Sequence, residues 1–332
     1  MEPFTATFTT PDGALLTYEI AGKEHLQKAP ERKPFIFVCG MSNRRCDFDT
    51  LVPVIARTRP GESTILIILL TYDHRGIGDS KLPKGNNAIS IEIMAKDLMH
   101  LISHLGWKQV VVCGFSMGGV ITQQLVLLPY HPISPQPLPF KITHVVLAGT
   151  LCSPSIFLDE SGQWNGKVGL KFPKLEDTSA GKGRPLTDDE KKELVRPTVE
   201  QGFDKVWLGD QRNKERLAYI MDRMIVKRPT RTIVAQSLAM LRFKLPSYSS
   251  TSLLPPPPIG PEVLIIHGRG DGITPWACAE ELLRRIPHSR IVKEDEIDHL
   301  DYGHNWHEYF DSERWVGVLD GFIGEPLMQA KL

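Results

Sequence analysis

The sequence has no net charge and no long hydrophobic segment. Its 332 residues contain 39 Lys and Arg against 39 Asp and Glu, so the formal charge at pH 7 is zero. A neutral chain without a basic cluster gives no electrostatic reason to bind nucleic acid or an anionic membrane. The longest apolar run, at 65–70, is far shorter than the roughly 20 residues that span a bilayer. We therefore expect no nucleic-acid partner and no membrane span.

Cysteine is also scarce, with five residues and no C-x-x-C pair. An odd number of cysteines, several of them inside apolar runs, predicts buried reduced thiols rather than a disulfide framework or a metal site. The first residues, MEPFTATFTTPDG, lack the basic and apolar regions of a secretory signal. We expect a soluble, cytoplasmic protein that needs no cofactor, and the sequence leaves its oligomeric state open.

Short apolar runs alternate with helical patterns through much of the chain. The runs are continuous and rich in β-branched residues, which is typical of strands buried on both faces. Helices are predicted between them, and Pro11-Asp12-Gly13 predicts a β-hairpin turn. This order indicates an α/β fold with a mainly parallel sheet. The predicted buried strands lie at 35–38, 65–70, 110–113, 144–149 and 263–268, and the clearest helices at 91–105 and after Ser116.

The alternation stops after Cys152 and resumes near Gly260. The intervening chain is polar, with a capping box at 187–190 and a helical pattern at 213–226. Residues 174–185 predict a mobile loop, and four prolines end a stiff linker at 249–258. We expect one core, residues 1–152 and 259–332, interrupted by a mainly helical lid at 153–258.

A G-x-S-x-G pentapeptide, with Ser116 at its centre, lies between a predicted strand and a predicted helix. This context is the one that the motif requires for a nucleophilic serine. Small residues on both sides permit a tight turn, and the Met117 amide at the helix N-terminus can stabilise developing negative charge. The competing interpretation, a phosphate-binding loop, needs a different glycine spacing.

A serine nucleophile needs a base, and the base needs an acid that orients it. Asp271, just beyond a predicted strand, is the candidate acid, and the stretch after the preceding strand offers no carboxylate. His304, preceded by Gly303, is the preferred base. His299 and His307 remain alternatives, and the three histidines could also form a metal site, although their spacing has no helical i,i+4 pair.

These motifs resemble those of the α/β-hydrolase superfamily, in its lid-bearing esterase, lipase and lactonase branch. The D-x-R-G-x-G-x-S turn of that family matches 73–80 completely, and the acid loop G-x-x-D-x-x-x-P matches 268–275. The resemblance implies an eight-stranded, mostly parallel sheet flanked by helices. It also implies that the Met41 amide joins Met117 in an oxyanion hole, although Cys39 replaces the usual histidine. The Gly303-His304 pair comes about five residues later than is typical, which keeps His299 open.

The resemblance implies cleavage of a carboxylic ester or lactone of a mainly apolar small molecule through an acyl-enzyme. Serine at position 116 excludes the relatives that attack with aspartate. Carbon–carbon bond hydrolases, thioesterases, acyltransferases and a slow-turnover ligand receptor stay open, because fold alone does not set function. Aromatic side chains often line apolar pockets, so the lid predicts a substrate pocket, or a small core of its own, built from Trp164, Phe172, Phe203 and Trp207.

Overall fold

The computed structural model describes residues 3–22, 33–56, 68–157, 161 and 186–324. The predicted loop at 174–185 and the aromatic residues Trp164 and Phe172 lie outside these residues. No helix in the described part of the chain is long and apolar enough to cross a membrane. All five cysteines are free thiols, and all except Cys46 are buried, as the sequence predicts.

The strands of the described chain are β1 Phe4–Thr9, β2 Leu15–Ala21, β3 Phe35–Val38, β4 Leu69–Tyr72, β5 Gln109–Phe115, β6 Lys141–Ala148, β7 Glu262–Ile266 and β8 Ser289–Ile291. They form one sheet in the order β1-β2-β4-β3-β5-β6-β7-β8. The β1–β2 hairpin and the β2–β4 pair are antiparallel, and every pairing from β4 through β3 to β8 is parallel. The fold class predicted from the sequence is thereby confirmed.

Residues 65–67 of the predicted strand at 65–70 lie outside the described residues, and the described strand continues beyond residue 70. β4 begins at Leu69 and extends to Tyr72, where it pairs with β2 on one side and β3 on the other. The apolar run does not mark the end of this strand, because Thr71 and Tyr72 are also buried by their neighbours. The strand β8 was not predicted, since its three half-buried residues carry no apolar pattern.

The helices of the core are α1 Val52–Ile55, α2 Ile91–His104, α3 Met117–Leu127, α8 Ala277–Arg285, α9 Glu294–Ile297 and α10 Ser312–Gly324. Helices cover both faces of the sheet, and two apolar clusters fill the spaces beneath them. The central helix α3 is buried along its whole length, because it lies between the sheet and α2. α2 begins where the Ser90 hydroxyl accepts the Ile93 amide as an N-cap.

An inserted helical segment, residues 186–242 of the described chain, lies between β6 and β7. Its helices are α4 Asp188–Glu200, α5 Lys205–Gly209, α6 Lys214–Met224 and α7 Thr230–Arg242. It begins with the predicted capping box, in which Thr187 accepts the Glu190 amide and Glu190 accepts the Thr187 amide. Its last long helix, α7, was not predicted from the sequence and contributes directly to the site.

Candidate active site

Ser116 lies in a strained turn between β5 and α3. Its φ of 54° and ψ of −121° are sparsely populated by residues other than glycine. Such a conformation persists only where the surroundings impose it, and here both backbone groups are fixed. The Ser116 amide donates to the Ala148 carbonyl at 2.8 Å, and the Thr150 hydroxyl donates to the Ser116 carbonyl at 2.7 Å. The turn therefore projects the side chain beyond the carboxyl edge of the sheet.

The two glycines of the pentapeptide are required by close backbone contact. A Cβ on Gly118 would lie 2.1 Å from the Val38 carbonyl oxygen, and one on Gly114 would lie 2.5 Å from the Gly118 carbonyl oxygen. Both distances are far inside van der Waals contact, with backbone atoms that cannot move aside. The small residues on both sides of Ser116, expected from the sequence, are thus explained by packing of α3 against β3 and β5.

Asp271 and His304 meet at the same edge of the sheet. The His304 Nδ1 lies 2.7 Å from Asp271 Oδ2, and this bond fixes Nδ1 as the donor and leaves Nε2 for other partners. The second carboxylate oxygen, Oδ1, accepts the amides of Ile273 and Thr274, each at 2.8 Å. The Thr274 hydroxyl lies 2.7 Å from Oδ2. Both oxygens of this buried carboxylate therefore accept two hydrogen bonds each.

These partners keep Asp271 charged. Burial opposes ionisation, but the adjacent His304 imidazole and the hydrogen bonds lower the pKa of Asp271 below its usual value. A second buried histidine, His267, lies 3.6 Å from the same carboxylate oxygen. Burial lowers the pKa of His267, and its Nε2 donates to the Thr274 carbonyl at 2.7 Å. His267 thereby stabilises the loop that carries Asp271, a role that the sequence did not suggest.

The alternative bases lie elsewhere. His299 is exposed and packs against Phe310, with ring centroids 4.9 Å apart. His307 lies in the wall of the cavity described below, where burial lowers its pKa to about 4 and its ring packs on Phe48. Neither makes an ion pair with Asp271. No group of histidine, cysteine and acidic side chains in the described residues is arranged to hold a metal ion.

Two backbone amides beside Ser116 lack acceptors. Neither the Met41 nor the Met117 N–H donates a hydrogen bond within the described part of the chain. The loop that carries Met41 is supported although Cys39 replaces the usual histidine. The Nε2 of His74, from the 73–80 turn, donates to the Cys39 carbonyl at 2.8 Å, and burial lowers the pKa of His74. A side chain from another element, the 73–80 turn, thus supports the backbone of this loop.

The alpha/beta hydrolase fold family model matches residues 69–308, which is more than half of the chain. The chain belongs to this family. Solved structures with similar folds include an esterase from Exiguobacterium antarcticum (19% identity, TM-score 0.65, 97% of this chain and 100% of that chain covered). An α/β hydrolase from a Medee basin deep-sea metagenome library gives 17% identity, a TM-score of 0.68 and coverages of 98% and 100%. The enol-lactonase from Burkholderia xenovorans LB400 has 18% identity and a TM-score of 0.63, and the match covers 96% of this chain and 100% of that chain.

In this α/β-hydrolase family member, a cavity of about 790 Å³ connects Ser116 and His304. The inserted segment provides most of its apolar wall, and a group of paired charges also lines the cavity. Arg216 pairs with Asp49 and Glu308, each at 2.6 Å. The apolar lining from α4, α6 and α7 comprises Leu194, Val195, Val199, Ile220, Met224, Ile233, Val234 and Leu238.

Two of the aromatic residues predicted for the pocket, Phe203 and Trp207, lie outside the hydrolase cavity. Phe203 and Trp207 stack on each other with ring centroids 3.9 Å apart, and neither is among the residues that line the cavity. Both belong to an apolar cluster of the core. A Cβ on Gly303 would lie 2.9 Å from the Phe203 Cα, so this part of the inserted segment packs directly beneath the loop that carries His304. The sequence left a pocket and a small core open for these two rings, because aromatic side chains are common in both.

Proposed function

We propose that this chain is a serine hydrolase that cleaves a carboxylic ester or lactone of a mainly apolar small molecule. The observation that carries the proposal is the 2.7 Å bond between His304 and Asp271 beside a cavity that Ser116 and His304 both line. The family assignment supports a hydrolase of this kind. The strained turn at Ser116 adds support, because such backbone conformations persist where the surroundings hold them and cluster at catalytic positions.

The proposed reaction begins when His304 Nε2 accepts the proton of the Ser116 hydroxyl. The serine oxygen attacks the carbonyl carbon, and the resulting oxyanion accepts hydrogen bonds from the Met41 and Met117 amides. His304 then gives its proton to the leaving oxygen as the ester bond breaks, which leaves an acyl group on Ser116. A water molecule, deprotonated by His304, releases the acid and restores the serine. Asp271 remains ionised throughout and stabilises the imidazolium.

The preference for apolar substrates rests on the wall that α4, α6 and α7 provide. Aliphatic side chains dominate that wall, and burying an acyl chain against them removes apolar surface from water. Residues 153–258, within which the inserted segment lies, act as a cap in this proposal and set the substrate range. An esterase and an enol-lactonase are among the solved structures with similar folds, which agrees with the two bond types proposed.

The first experiment compares the wild-type protein with Ser116→Ala and with Ser134→Ala, a matched change at an exposed serine. Each protein is incubated with a fluorophosphonate probe and then with p-nitrophenyl esters of increasing acyl length. We expect labelling and turnover in the wild type and Ser134→Ala, and neither in Ser116→Ala. A clear optimum of chain length supports an apolar acyl pocket. Residual labelling of Ser116→Ala, or an unreactive wild type, would overturn the proposal.

A further inference from the structure

The loop that carries Met41 is held at both of its ends, by two different parts of the molecule. On one side, His74 of the core donates to the Cys39 carbonyl. On the other side, the contacts to Ser42 come from the inserted segment, more than 180 residues away in the chain. The Met41 amide lies between these two supports. Its direction therefore depends on both of them.

Both backbone groups of Ser42 are bound by the inserted segment. The Ser42 amide donates to Oε1 of Gln236 at 3.0 Å, and the Ser42 carbonyl accepts from Nε of Arg228 at 2.8 Å. Ser42 has a φ of 62°, in the left-handed region that residues other than glycine rarely adopt. A residue in this conformation needs external support to remain there. Gln236 and Arg228 supply it.

The two supporting side chains are themselves well fixed. Gln236 is fully buried on α7, and Arg228, whose side chain is 3% exposed, pairs with Asp47 of the core. The backbone next to Arg228 is also attached to the core, because the Gly78 amide donates to the Lys227 carbonyl at 2.9 Å. A third contact reaches the loop from α7, where the Ser237 hydroxyl donates to the Met41 sulfur at 3.3 Å. These contacts attach α7, and the residues that lead into it, to the loop that carries Met41 and to the core.

We propose that Gln236, assisted by Arg228, is a positioning residue that sets the direction of the Met41 amide through Ser42. This inference rests on the proposed function, since it assigns Met41 to the oxyanion hole. The hole is then completed by the inserted segment and is not a property of the core alone. Loss of the Gln236 contact leaves the Ser42 amide without an acceptor and frees the loop to rotate. The transition state loses stabilisation, while the apolar wall that binds substrate stays in place.

The test compares wild type, Gln236→Leu and Gln236→Glu with Thr232→Val, a buried and nearly isosteric change one turn earlier on α7. Glutamate keeps an oxygen that accepts the Ser42 amide, whereas leucine keeps only the volume. The measurements are kcat and KM for one p-nitrophenyl ester and the inhibition constant of a trifluoromethyl ketone, whose adduct places an oxyanion in the hole. Thermal melting of each variant reports on folding.

We expect Gln236→Leu to lower kcat by about 10- to 100-fold with KM nearly unchanged, because one of two oxyanion donors is misdirected. The ketone should bind correspondingly more weakly, and Gln236→Glu should recover most of both losses. A kcat of Gln236→Leu equal to that of Thr232→Val, or a loss confined to KM, would overturn the inference while leaving the proposed function intact. A wild type without Ser116-dependent turnover would overturn the proposed function and, with it, this inference.

Discussion

The core and the inserted segment differ in how many of their residues are buried and in the contacts that hold them in place. In the core, all eleven residues of α3 are buried, and two continuous apolar clusters fill both sides of the sheet. In the inserted segment, α4 and α6 each bury a single residue, Val199 and Met221. Apolar contacts such as those of Phe203 and Trp207 attach this segment to the core. Arginine–carboxylate pairs add to them, namely those of Arg216, Arg223 and Arg228 with Asp47, Asp49 and Glu308.

The two regions therefore contribute different parts of the site. Apolar burial fixes the core rigidly, which suits the close placement of Ser116, Asp271 and His304 that the proposed reaction requires. The pairs of Arg216 and Arg223 with Asp49 are partly exposed, so each contributes little to holding the inserted segment, which provides the cavity wall. The exception is Arg228, whose side chain is 3% exposed and contacts the loop that carries Met41.

The largest effect is expected at His304, at the edge of the core sheet. In the proposed reaction His304→Ala removes the group that accepts the serine proton, and loss of one member of such a triad costs on the order of 10⁴- to 10⁶-fold in kcat. His299→Ala, at an exposed histidine five residues earlier, should leave kcat unchanged within about twofold. Steady-state kinetics on one ester measures both. Equal losses in the two variants would contradict the assignment of the base.

The next effect concerns the attachment of the inserted segment. Arg228→Met removes the most buried partner of Asp47, whose carboxylate then keeps Arg223 at 3.6 Å and the Arg44 amide at 2.9 Å. Breaking a buried pair costs up to about 3–5 kcal/mol of unfolding free energy. Arg196→Met, which breaks an exposed pair with Glu193 whose side chains are 42% and 67% exposed, should cost clearly less because water replaces the lost partner. Urea denaturation gives both values. A smaller loss of unfolding free energy for Arg228→Met than for Arg196→Met would show that burial does not determine how much each pair contributes.

A third prediction concerns pH and the core. Burial lowers the pKa of His144 to about 4, so the unfolded chain binds this proton at a higher pH than the native protein does. The contribution of His144 is therefore complete above its ordinary pKa of about 6.5 and declines as the pH falls toward 4, by at most about 3 kcal/mol. His144→Leu should reduce the loss of unfolding free energy between pH 7.5 and pH 4.5. An unchanged pH dependence would mean that His144 does not titrate in this range.

The smallest effect is expected at the apolar wall. Leu238 lines the cavity and is 41% exposed, so Leu238→Ala should lower the free energy of unfolding by less than about 1 kcal/mol. Its effect on substrate choice should be larger than its effect on stability. We expect roughly 10-fold lower kcat/KM for the longer acyl chains, since a few methylene contacts are lost, and little change for acetate. A uniform decrease over all chain lengths would place Leu238 outside the acyl pocket.

Most of the core could be predicted because its signals are local. The pentapeptide around Ser116, the matched turn at 73–80 and the apolar strands each identify an element within a few residues of sequence. The order of serine, acid and base then follows from the fold. The helix α7 was missed because its apolar residues alternate with buried polar ones, Thr232 and Gln236, which weaken its amphipathic pattern.

The fold class, the turn at Ser116 and the short set of residues that could supply an acid and a base all follow from the order of residues alone. Local backbone geometry and hydrophobic pattern are sufficient for these. Three-dimensional packing was needed to establish that His304 rather than His299 meets Asp271, that Phe203 and Trp207 pack beneath the site, and that Gln236 reaches Ser42. His304 and Asp271 are 33 positions apart in the chain, and Gln236 and Ser42 are 194 positions apart. No sequence pattern within one of these segments predicts where the other lies in space.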